Sequence, residues 1–270
     1  MKNKNKNKNK ILLFIPAYNC EKQIVRVLDQ IDGDVKEFIG GIIVVNNRST
    51  DKTEESLIDY KKKHKELDMH ILRNDSNYNL GGSHKVAFDY AMKNKYDYVI
   101  VLHGDDQGNI SDLVPYLKSK EFEKYDSLLG ARFMKGSKLE GYSKFRTFGN
   151  IVYNILFSIV VKRKIYDLGS GLNMYKVESL KSKYYYRFPD KLTFNYCMVM
   201  AIHYYKQNIM FFPITWKEND QASNVKLMSQ AFDVLKMLGK YAIHKDYIRT
   251  ELRNKPIKKY SYKEIIDEEE

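Results

Sequence analysis

Hydrophobic positions follow two different spacings along the first half of the chain. Short apolar runs recur about every thirty residues, the length of a strand–helix–strand unit. They predict buried strands at Ile11–Ile15, Ile42–Val45, Met69–Leu72, Tyr98–Leu102 and Ser127–Leu129. Between them, apolar residues at helical spacing predict helices over Gln23–Ile31, Asp51–Lys65 and Ser83–Met92. This alternation indicates an α/β fold, with a Rossmann-like, mostly parallel sheet flanked by helices.

The second half, after about residue 135, favours amphipathic helices. We expect helices over Ser143–Val161, Leu192–Tyr205 and Val225 to about Ile248, with strands at Leu172–Tyr175 and, at a sheet edge, Ile209–Thr215. The first of these helices has a polar stripe of Arg146, Asn150, Asn154 and Ser158, and an apolar stripe of Phe148, Val152, Ile155, Leu156 and Ile159. It suits either a membrane-surface groove or packing within the domain. The last helix has an apolar face, expected in the core, of Val225, Met228, Phe232, Leu235 and Leu238.

Composition adds constraints on the class of protein. A hydrophobic content of 43% is typical of a globular chain, and the net charge of +12 suits anionic partners, although a generally basic composition explains it equally well. Cys20 and Cys197 are predicted to be free thiols in a reducing compartment. No signal peptide is visible, and no apolar run reaches the ~18 residues of a membrane span, so we expect a chain that does not cross a bilayer but could lie on one.

The segment His103-Gly-Asp-Asp-Gln107 is the most informative motif. It follows a strand that is apolar enough to be buried, and ligands in open α/β sheets bind just beyond the carboxyl ends of such strands. Two neighbouring carboxylates there need a counterion, and a divalent cation held by hard oxygen ligands commonly also holds a phosphate. The motif therefore points to metal-assisted handling of a nucleotide diphosphate.

Three other predicted turns carry polar groups at the same edge. After the first strand, Tyr18 could stack on a base while Asn19 hydrogen-bonds it. After the second strand, Asn46 and Asn47 could read ribose hydroxyls or belong to the helix cap formed around Ser49 to Asp51, and the sequence leaves these two roles open. Before the third helix, Gly81 and Gly82 could let backbone N–H groups approach an anion.

Together these segments resemble the nucleotide-sugar-binding half of the family 2 glycosyltransferases, which have the GT-A fold. Within that family the chain is most similar to the dolichyl-phosphate mannose synthase group, whose Asp-x-Asp-x-Gln motif aligns on 103–107. Asp105 and Gln107 match two of the family's metal ligands, and His103 replaces the remaining aspartate. Asn46 and Asn47 stand where the family commonly has aspartates. The resemblance implies a nucleotide-sugar site formed by Pro16, Ala17, Tyr18, Asn19, Glu21, Asn46, Asn47, Ser49, Gly81, His103, Gly104 and Asp105.

The acceptor side is also suggested by the resemblance. Two arginines can fork onto a phosphate, and Arg132 and Arg146 fall on the family's lipid-phosphate-binding positions, with Asn150 beside them. Asp105, Asp106 and Asp167 are the candidate catalytic carboxylates. The segment Trp216–Val225 occupies the place of a loop that closes over donor and acceptor.

The expected organisation is a disordered basic tail (1–10), a GT-A domain (11–250, with a nucleotide-sugar half at 11–130 and an acceptor half at 131–250) and a charged C-terminal tail (251–270). The resemblance implies an inverting, metal-dependent transferase that moves a hexose from a nucleotide diphosphate sugar to a polyprenyl phosphate. Mg²⁺ or Mn²⁺ would bind at Asp105 and Gln107, and His103 would either be a further ligand or hydrogen-bond the ribose or diphosphate. The enzyme would be peripheral on the inner face of the plasma membrane.

Two other functions are considered. One is extension of a cell-surface polysaccharide on a sugar hydroxyl, for which Asp167 or Asp106 would serve as the base. The other is nucleic-acid binding. Its only local indication is Tyr184-Tyr-Tyr-Arg187, and we expect no nucleic-acid partner.

Overall fold

The computed structural model describes residues 10–218 and 227–266, with the backbone alone for 227–231. Its strands are β1 (Ile11–Ala17), β2 (Ile39–Asn46), β3 (Met69–Asn74), β4 (Tyr98–Leu102), β5 (Ser127–Ala131), β6 (Lys138–Glu140), β7 (Leu172–Lys176), β8 (Ile209–Pro213), β9 (Thr215–Lys217) and β10 (Tyr262–Ile265). Its α-helices are α1 (Ile24–Asp29), α2 (Gly33–Lys36), α3 (Thr53–Lys63), α4 (Asn79–Lys93), α5 (Val114–Lys118), α6 (Lys144–Val161), α7 (Val177–Leu180), α8 (Thr193–Tyr204) and α9 (Leu227–Ile243).

The centre of the fold is an eight-stranded sheet in the order β10-β3-β2-β1-β4-β7-β5-β8. Strands β3, β2, β1 and β4 run parallel, as do β5 and β8, whereas β7 and β10 are antiparallel to their neighbours. The prediction of a mostly parallel sheet flanked by helices is confirmed, and β8 lies at an edge as its proline suggested. Because β1, β2 and β4 are neighbours in register, their carboxyl ends bring the three loops that follow them together.

Two apolar layers cover the sheet. One packs α4, α8 and α9 against one face, and the other packs α1, α3 and α5 against the opposite face. Side chains alternate between the two layers along β1, so that Leu12 and Phe14 face one layer while Leu13 and Ile15 face the other. This two-sided burial is the physical reason for uninterrupted apolar strands.

The C-terminal segment differs from the expectation of a charged tail. Tyr262–Ile265 form β10, which pairs antiparallel with β3, and Tyr260 just before it is buried. The sheet therefore extends past residue 250, the predicted end of the domain. The ends of the basic and acidic tails, at 1–9 and 267–270, lie outside the described residues.

The N-terminus of α4 also differs from the prediction. The helix begins at Asn79, so Gly81 and Gly82 lie in its first turns instead of in a preceding loop. A Cβ at Gly81 would approach the carbonyl oxygen of Pro189 to 2.7 Å and Phe194 Cβ to 2.8 Å. The amide of Gly81 already donates to the carbonyl of Asp190 at 2.6 Å. In this structure Gly81 serves close packing, and the expected anion contact is not what its amide makes.

Helices α6 and α9 turn apolar side chains outward. In α6 the polar stripe faces inward, with Asn154 buried and donating to the carbonyl of Tyr166, while Phe148 and Ile159 are each 67% exposed. In α9 the prediction of a core face was wrong for Phe232, which is 71% exposed, and for Leu235, which is also exposed, but correct for Leu238. Val225 lies outside the described residues, as does the side chain of Met228.

Cys20 and Cys197 are free thiols, as predicted, and both are buried. Within 10–218 and 227–266, no helix is both long and apolar enough to cross a bilayer.

Candidate active site

The acidic turn at 103–107 follows β4 directly and is fastened to the loop after β1. Gly104 donates its amide to the carbonyl of Pro16 at 3.1 Å, and a Cβ at this position would lie 2.9 Å from that oxygen. Glycine is therefore required for this close approach. Asp105 beside it accepts a hydrogen bond from the amide of Gln107 at 3.3 Å. Burial raises the pKa of Asp105 to about 6, outweighing its backbone hydrogen bonds and the charge of Arg132.

The carboxylate of Asp106 contacts α1 and Gln30, the residue that follows this helix. The backbone of Asp106 is left-handed (φ 58°), and its carboxylate accepts from Arg26 Nε at 2.6 Å and Gln30 Nε2 at 3.1 Å. These two contacts hold the turn against α1. Asp106 was a candidate catalytic carboxylate, and in the structure it is an anchor of the turn.

His103 begins the turn, and its ring lies against Gly171, where an added Cβ would approach the ring to 3.0 Å. Its backbone amide donates to the carbonyl of Gly171 at 2.9 Å, which joins the acidic turn to the start of β7. Burial, assisted by the nearby charge of Arg132, lowers the pKa of His103 to about 4. The imidazole is therefore neutral near pH 7, the state in which it can ligate a metal or donate one hydrogen bond to a diphosphate.

The loops after β1 and β2 are bound to each other. The backbone of Asn19 is also in the left-handed region (φ 50°). Its side-chain oxygen accepts from the backbone amide of Thr50 at 2.8 Å, and its backbone amide donates to Ser49 Oγ at 3.1 Å. Glu21 accepts from the amide of Lys52 at 2.9 Å. Tyr18 is 45% exposed beside the buried Ala17, at the edge where a base could stack on it.

Asn46 and Asn47 have structural partners. Asn46 donates to Glu54 at 2.7 Å and accepts from the amide of Ser49 at 2.9 Å. Asn47 donates to Asn77, and its side-chain oxygen accepts from Asn74 Nδ2 and the amide of Tyr78. These amides hold the loops after β2 and β3 in place, and a nucleotide contact from them remains a prediction.

The first predicted phosphate-binding arginine is largely buried, with a side chain only 10% exposed, and it is already paired. Arg132 donates from Nε and Nη2 to the two oxygens of Asp167, at 2.8 and 2.9 Å, and its backbone amide donates to the same carboxylate. Burial opposes the guanidinium charge, but Asp167 more than compensates, so the pKa of Arg132 is raised. The guanidinium also stacks on buried Trp216, 4.9 Å from the ring centre.

The second arginine is more accessible. The side chain of Arg146 is 31% exposed, and its Nη1 donates to both oxygens of Glu218, at 2.7 and 2.8 Å. Arg146 and Arg132 lie over the same ring, that of Tyr142, at 4.6 and 5.8 Å from its centre. Asn150, the third predicted acceptor residue, donates to the hydroxyl of Tyr142 at 3.0 Å.

Glu218 was not predicted as a site residue. Besides pairing with Arg146, it accepts from Gln107 Nε2 at 3.4 Å, so it connects the acceptor arginine to the acidic turn. No motif marked it, because the contact joins positions 107, 146 and 218, which only the folded chain brings together. Most of the predicted closing loop Trp216–Val225 follows it, and residues 219–226 lie outside the described residues.

The residues present are chemically suited to a hard divalent cation. Among the described residues, no group of three or more His, Cys, Asp or Glu side chains is arranged to hold a metal by itself. A half-buried carboxylate at Asp105, beside the amide side chain of Gln107, matches the common arrangement for Mg²⁺ in which one or two carboxylates share the ion with substrate phosphates. Asp105 and Gln107 thus fit the predicted role, with His103 beside them.

Comparison with known proteins agrees with this geometry. Residues 13–182, more than half of the chain, match the family described as Glycosyl transferase family 2. An uncharacterized protein of Methanocaldococcus jannaschii is 29% identical over 178 residues, covering 63% of this chain and 73% of the relative. The dolichyl-phosphate beta-glucosyltransferase ALG5A of Trichomonas vaginalis is 23% identical over 239 residues, covering 83% of this chain and 72% of the relative.

A solved structure of similar fold is the mannosyltransferase PcManGT from Pyrobaculum calidifontis in complex with GDP-Man and Mn²⁺. It has a TM-score of 0.57 and 16% identity, covering 88% of this chain and 62% of that one. The sheet and flanking helices are those of the GT-A fold. The family match includes the turns after β1, β2 and β4 that converge at the carboxyl edge of the sheet, and on this evidence the chain belongs to glycosyltransferase family 2 and is a glycosyltransferase.

Proposed function

We propose that this glycosyltransferase moves a hexose, with inversion, from a nucleoside diphosphate sugar to a polyprenyl phosphate, and that it works peripherally on the inner face of the plasma membrane. The main support for a phosphate acceptor is that both candidate base carboxylates are already engaged in ion pairs. Asp106 and Asp167, the two candidates for a general base, are each bound to an arginine. A partly exposed guanidinium, that of Arg146, stands beside the acidic turn.

The nature of the acceptor decides whether a base is needed. A sugar hydroxyl must lose a proton as it attacks, and a carboxylate bound to arginine would have to give up part of that contact to accept the proton. A phosphate monoester attacks through an oxygen that is already anionic. The oxygen of the acceptor phosphate forms the new bond to the anomeric carbon, and the bond from that carbon to the diphosphate breaks. No proton transfer is required, which suits the paired state of Asp106 and Asp167.

The donor side of the proposal uses the turns after β1 and β4. Tyr18 would stack on the base, and His103 would donate a hydrogen bond to the diphosphate as a neutral imidazole. Asp105, with Gln107, would hold Mg²⁺ or Mn²⁺. When bound, such an ion supplies Lewis-acid stabilisation of the charge that develops on the leaving diphosphate.

Two relatives support the proposal by what their names state. The Trichomonas protein is a dolichyl-phosphate beta-glucosyltransferase, an enzyme named for a lipid phosphate. The Pyrobaculum mannosyltransferase was solved with a nucleotide sugar and Mn²⁺. For the present chain the lipid acceptor and the metal remain proposals.

The donor can be identified by thermal denaturation with UDP- and GDP-sugars in the presence of Mn²⁺. A ligand that binds the native state stabilises it by about 2.7 kcal/mol at one hundred times its Kd, so the correct donor should raise Tm by several degrees. Asp105→Asn should abolish the Mn²⁺-dependent part of that shift. The control Asp112→Asn should keep it, because the carboxylate of Asp112 accepts a hydrogen bond from the backbone amide of Thr215 and is not a proposed metal ligand. If no nucleotide sugar raises Tm with either metal, the donor assignment is wrong.

The acceptor can be identified with a radiolabelled donor offered to undecaprenyl phosphate or to a lipid-linked sugar. We expect product on the bare lipid phosphate, and its formation should fall at least about a hundredfold in Arg146→Ala, the effect of losing a charge-assisted phosphate contact. Lys118→Ala is the control, because Lys118 is also a cation paired with a carboxylate, that of Asp34, and neither residue belongs to the predicted site. Product formed only on the lipid-linked sugar would refute the phosphate acceptor and favour polysaccharide extension.

A further inference from the structure

A composite apolar surface covers the outer side of α6 and α9. On α6, Phe145 is 82% exposed, and Phe148 and Ile159 are each 67% exposed. On α9, Phe232 and Ile243 are 71% and 77% exposed. The two helices pack against each other, and the surface they form is called here the α6–α9 face.

The α6–α9 face is larger than ordinary surface variation explains. The same two helices also expose Ile151, Val152, Ile155, Leu156 and Leu235, each by 36–53%. Scaled from about 150–200 Å² per large apolar side chain, the exposed apolar area of all ten residues is on the order of 1,000 Å². The largest apolar patch on a typical monomer covers about 300–600 Å², and larger patches mark interaction sites. The hydrophobic effect therefore favours a partner on this face.

Basic residues surround the same surface. Residues 144–164 include five lysines and arginines and no acidic residue, and residues 232–245 include three lysines and one aspartate. Lys162, Arg163 and Lys164 are exposed at the carboxyl end of α6. Lys245, which follows α9, donates to the carbonyl of Val160 at 2.7 Å, so the basic ends of the two helices adjoin.

We infer that the α6–α9 face is a docking surface for an anionic lipid bilayer. An apolar stripe with a basic border is the pattern of helices that lie in the headgroup region of such a membrane. A second copy of this chain would bring the same basic border against the first, in a protein of net charge +12. A segment of this sequence is also a poor candidate for covering the face. The ranges outside the described residues, 1–9, 219–226 and 267–270, are almost entirely polar or charged.

This inference rests on the proposed function for its consequence. Arg146 lies in the first turn of α6, between Phe145 and Phe148, which belong to the α6–α9 face. A bilayer that covers those phenylalanines would place its phosphate headgroups at the level of Arg146. The surface would thus bring a membrane-bound prenyl phosphate to the guanidinium without the lipid leaving the membrane.

Sedimentation with phosphatidylcholine vesicles, with and without phosphatidylglycerol, tests the surface directly. The full chain should bind only the anionic vesicles and should be released by salt. The variant Phe148→Ser/Ile159→Ser/Phe232→Ser should bind them at least about tenfold more weakly, because the apolar area inserted is reduced. The control Val25→Ser/Leu192→Ser, at exposed apolar residues outside the face, should bind like the parent.

Two further measurements separate the possible outcomes. Turnover of a short, water-soluble prenyl phosphate should be unchanged in the triple variant, so loss of vesicle binding with retained turnover supports the surface independently of the acceptor chemistry. Absence of binding to anionic vesicles, or equal binding by parent and triple variant, would overturn the inference. Dimerisation of the parent in analytical ultracentrifugation that the triple variant abolishes would assign the face to a second copy instead, and would also overturn it.

Discussion

Because Glu218 forms an ion pair with Arg146, we predict that removing the charge of Glu218 increases the affinity for the acceptor. Both oxygens of Glu218 lie within 2.8 Å of Arg146 Nη1, where a phosphate oxygen of the proposed acceptor would bind. The acceptor must therefore displace the carboxylate or bind beside its negative charge. Glu218→Gln keeps the size of the side chain and removes that charge.

The expected magnitude follows from the exposure of the pair. Two unit charges about 4 Å apart attract by about 4 kcal/mol at an effective dielectric constant near 20, whereas fully exposed pairs contribute only about 0.2–1 kcal/mol. With side chains 31% and 20% exposed, the pair lies between these limits. A net competition of about 1–2 kcal/mol corresponds to a five- to thirtyfold lower KM for the lipid phosphate.

The assay is a titration of acceptor at saturating donor, followed by a titration of donor. We expect the acceptor KM to fall in Glu218→Gln while the donor KM changes less than about threefold, since the charge faces Arg146. Glu140→Gln is the matched control, because Glu140 lies in the adjoining β6 and pairs with exposed Lys217 at 3.3 Å. An acceptor KM that stays constant or rises in Glu218→Gln would refute the competition, and a large loss of kcat would identify Glu218 as a group that the reaction needs.

Three predictions concern stability. Asp167→Asn should lower the free energy of unfolding by about 3–5 kcal/mol in urea denaturation, because it leaves the buried charge of Arg132 without its carboxylate; a loss under 1 kcal/mol would show that the pair is dispensable. Lys85→Met should cost about 3 kcal/mol in the same assay, since Lys85 is fully buried and donates to Asp190, and an unchanged midpoint would contradict this. Gly239→Ala should instead stabilise by about 0.5–1 kcal/mol, measured as a higher Tm, because an added Cβ meets nothing within 4 Å inside α9; a lower Tm would contradict it.

The strands of the sheet were predictable because burial on both faces gives uninterrupted apolar runs. The acidic turn was predictable as well, because polar groups that directly follow a buried parallel strand must lie at the carboxyl edge of the sheet. Strand β10 was not, because Tyr262–Ile265 is a short edge strand in a charged segment whose partner, β3, lies far away in the sequence. Edge strands have one solvated side and carry a weak pattern.

The local sequence pattern could not predict which face of α6 points outward, nor which residues pair with the site residues. An amphipathic helix predicts two faces but not which one meets the domain, and in α6 the inward face includes Asn154. Pairing likewise depends on tertiary structure. The sequence suggested Arg132 and Asp167 for separate roles, one at the acceptor phosphate and one as a base, and the fold joins them to each other.

The position of β10 has a consequence for how the chain completes its fold. Glu264 and Ile265 pair with Leu72 and Ile71, so the edge of the sheet beside β3 stays uncovered until residues 262–265 have been synthesised and have folded back onto it. A nascent or prematurely terminated chain would expose the unpaired backbone N–H and C=O groups of β3. Extended segments of other chains could pair with them, which favours aggregation. Pairing with β10 thus protects a strand that is synthesised much earlier in the chain.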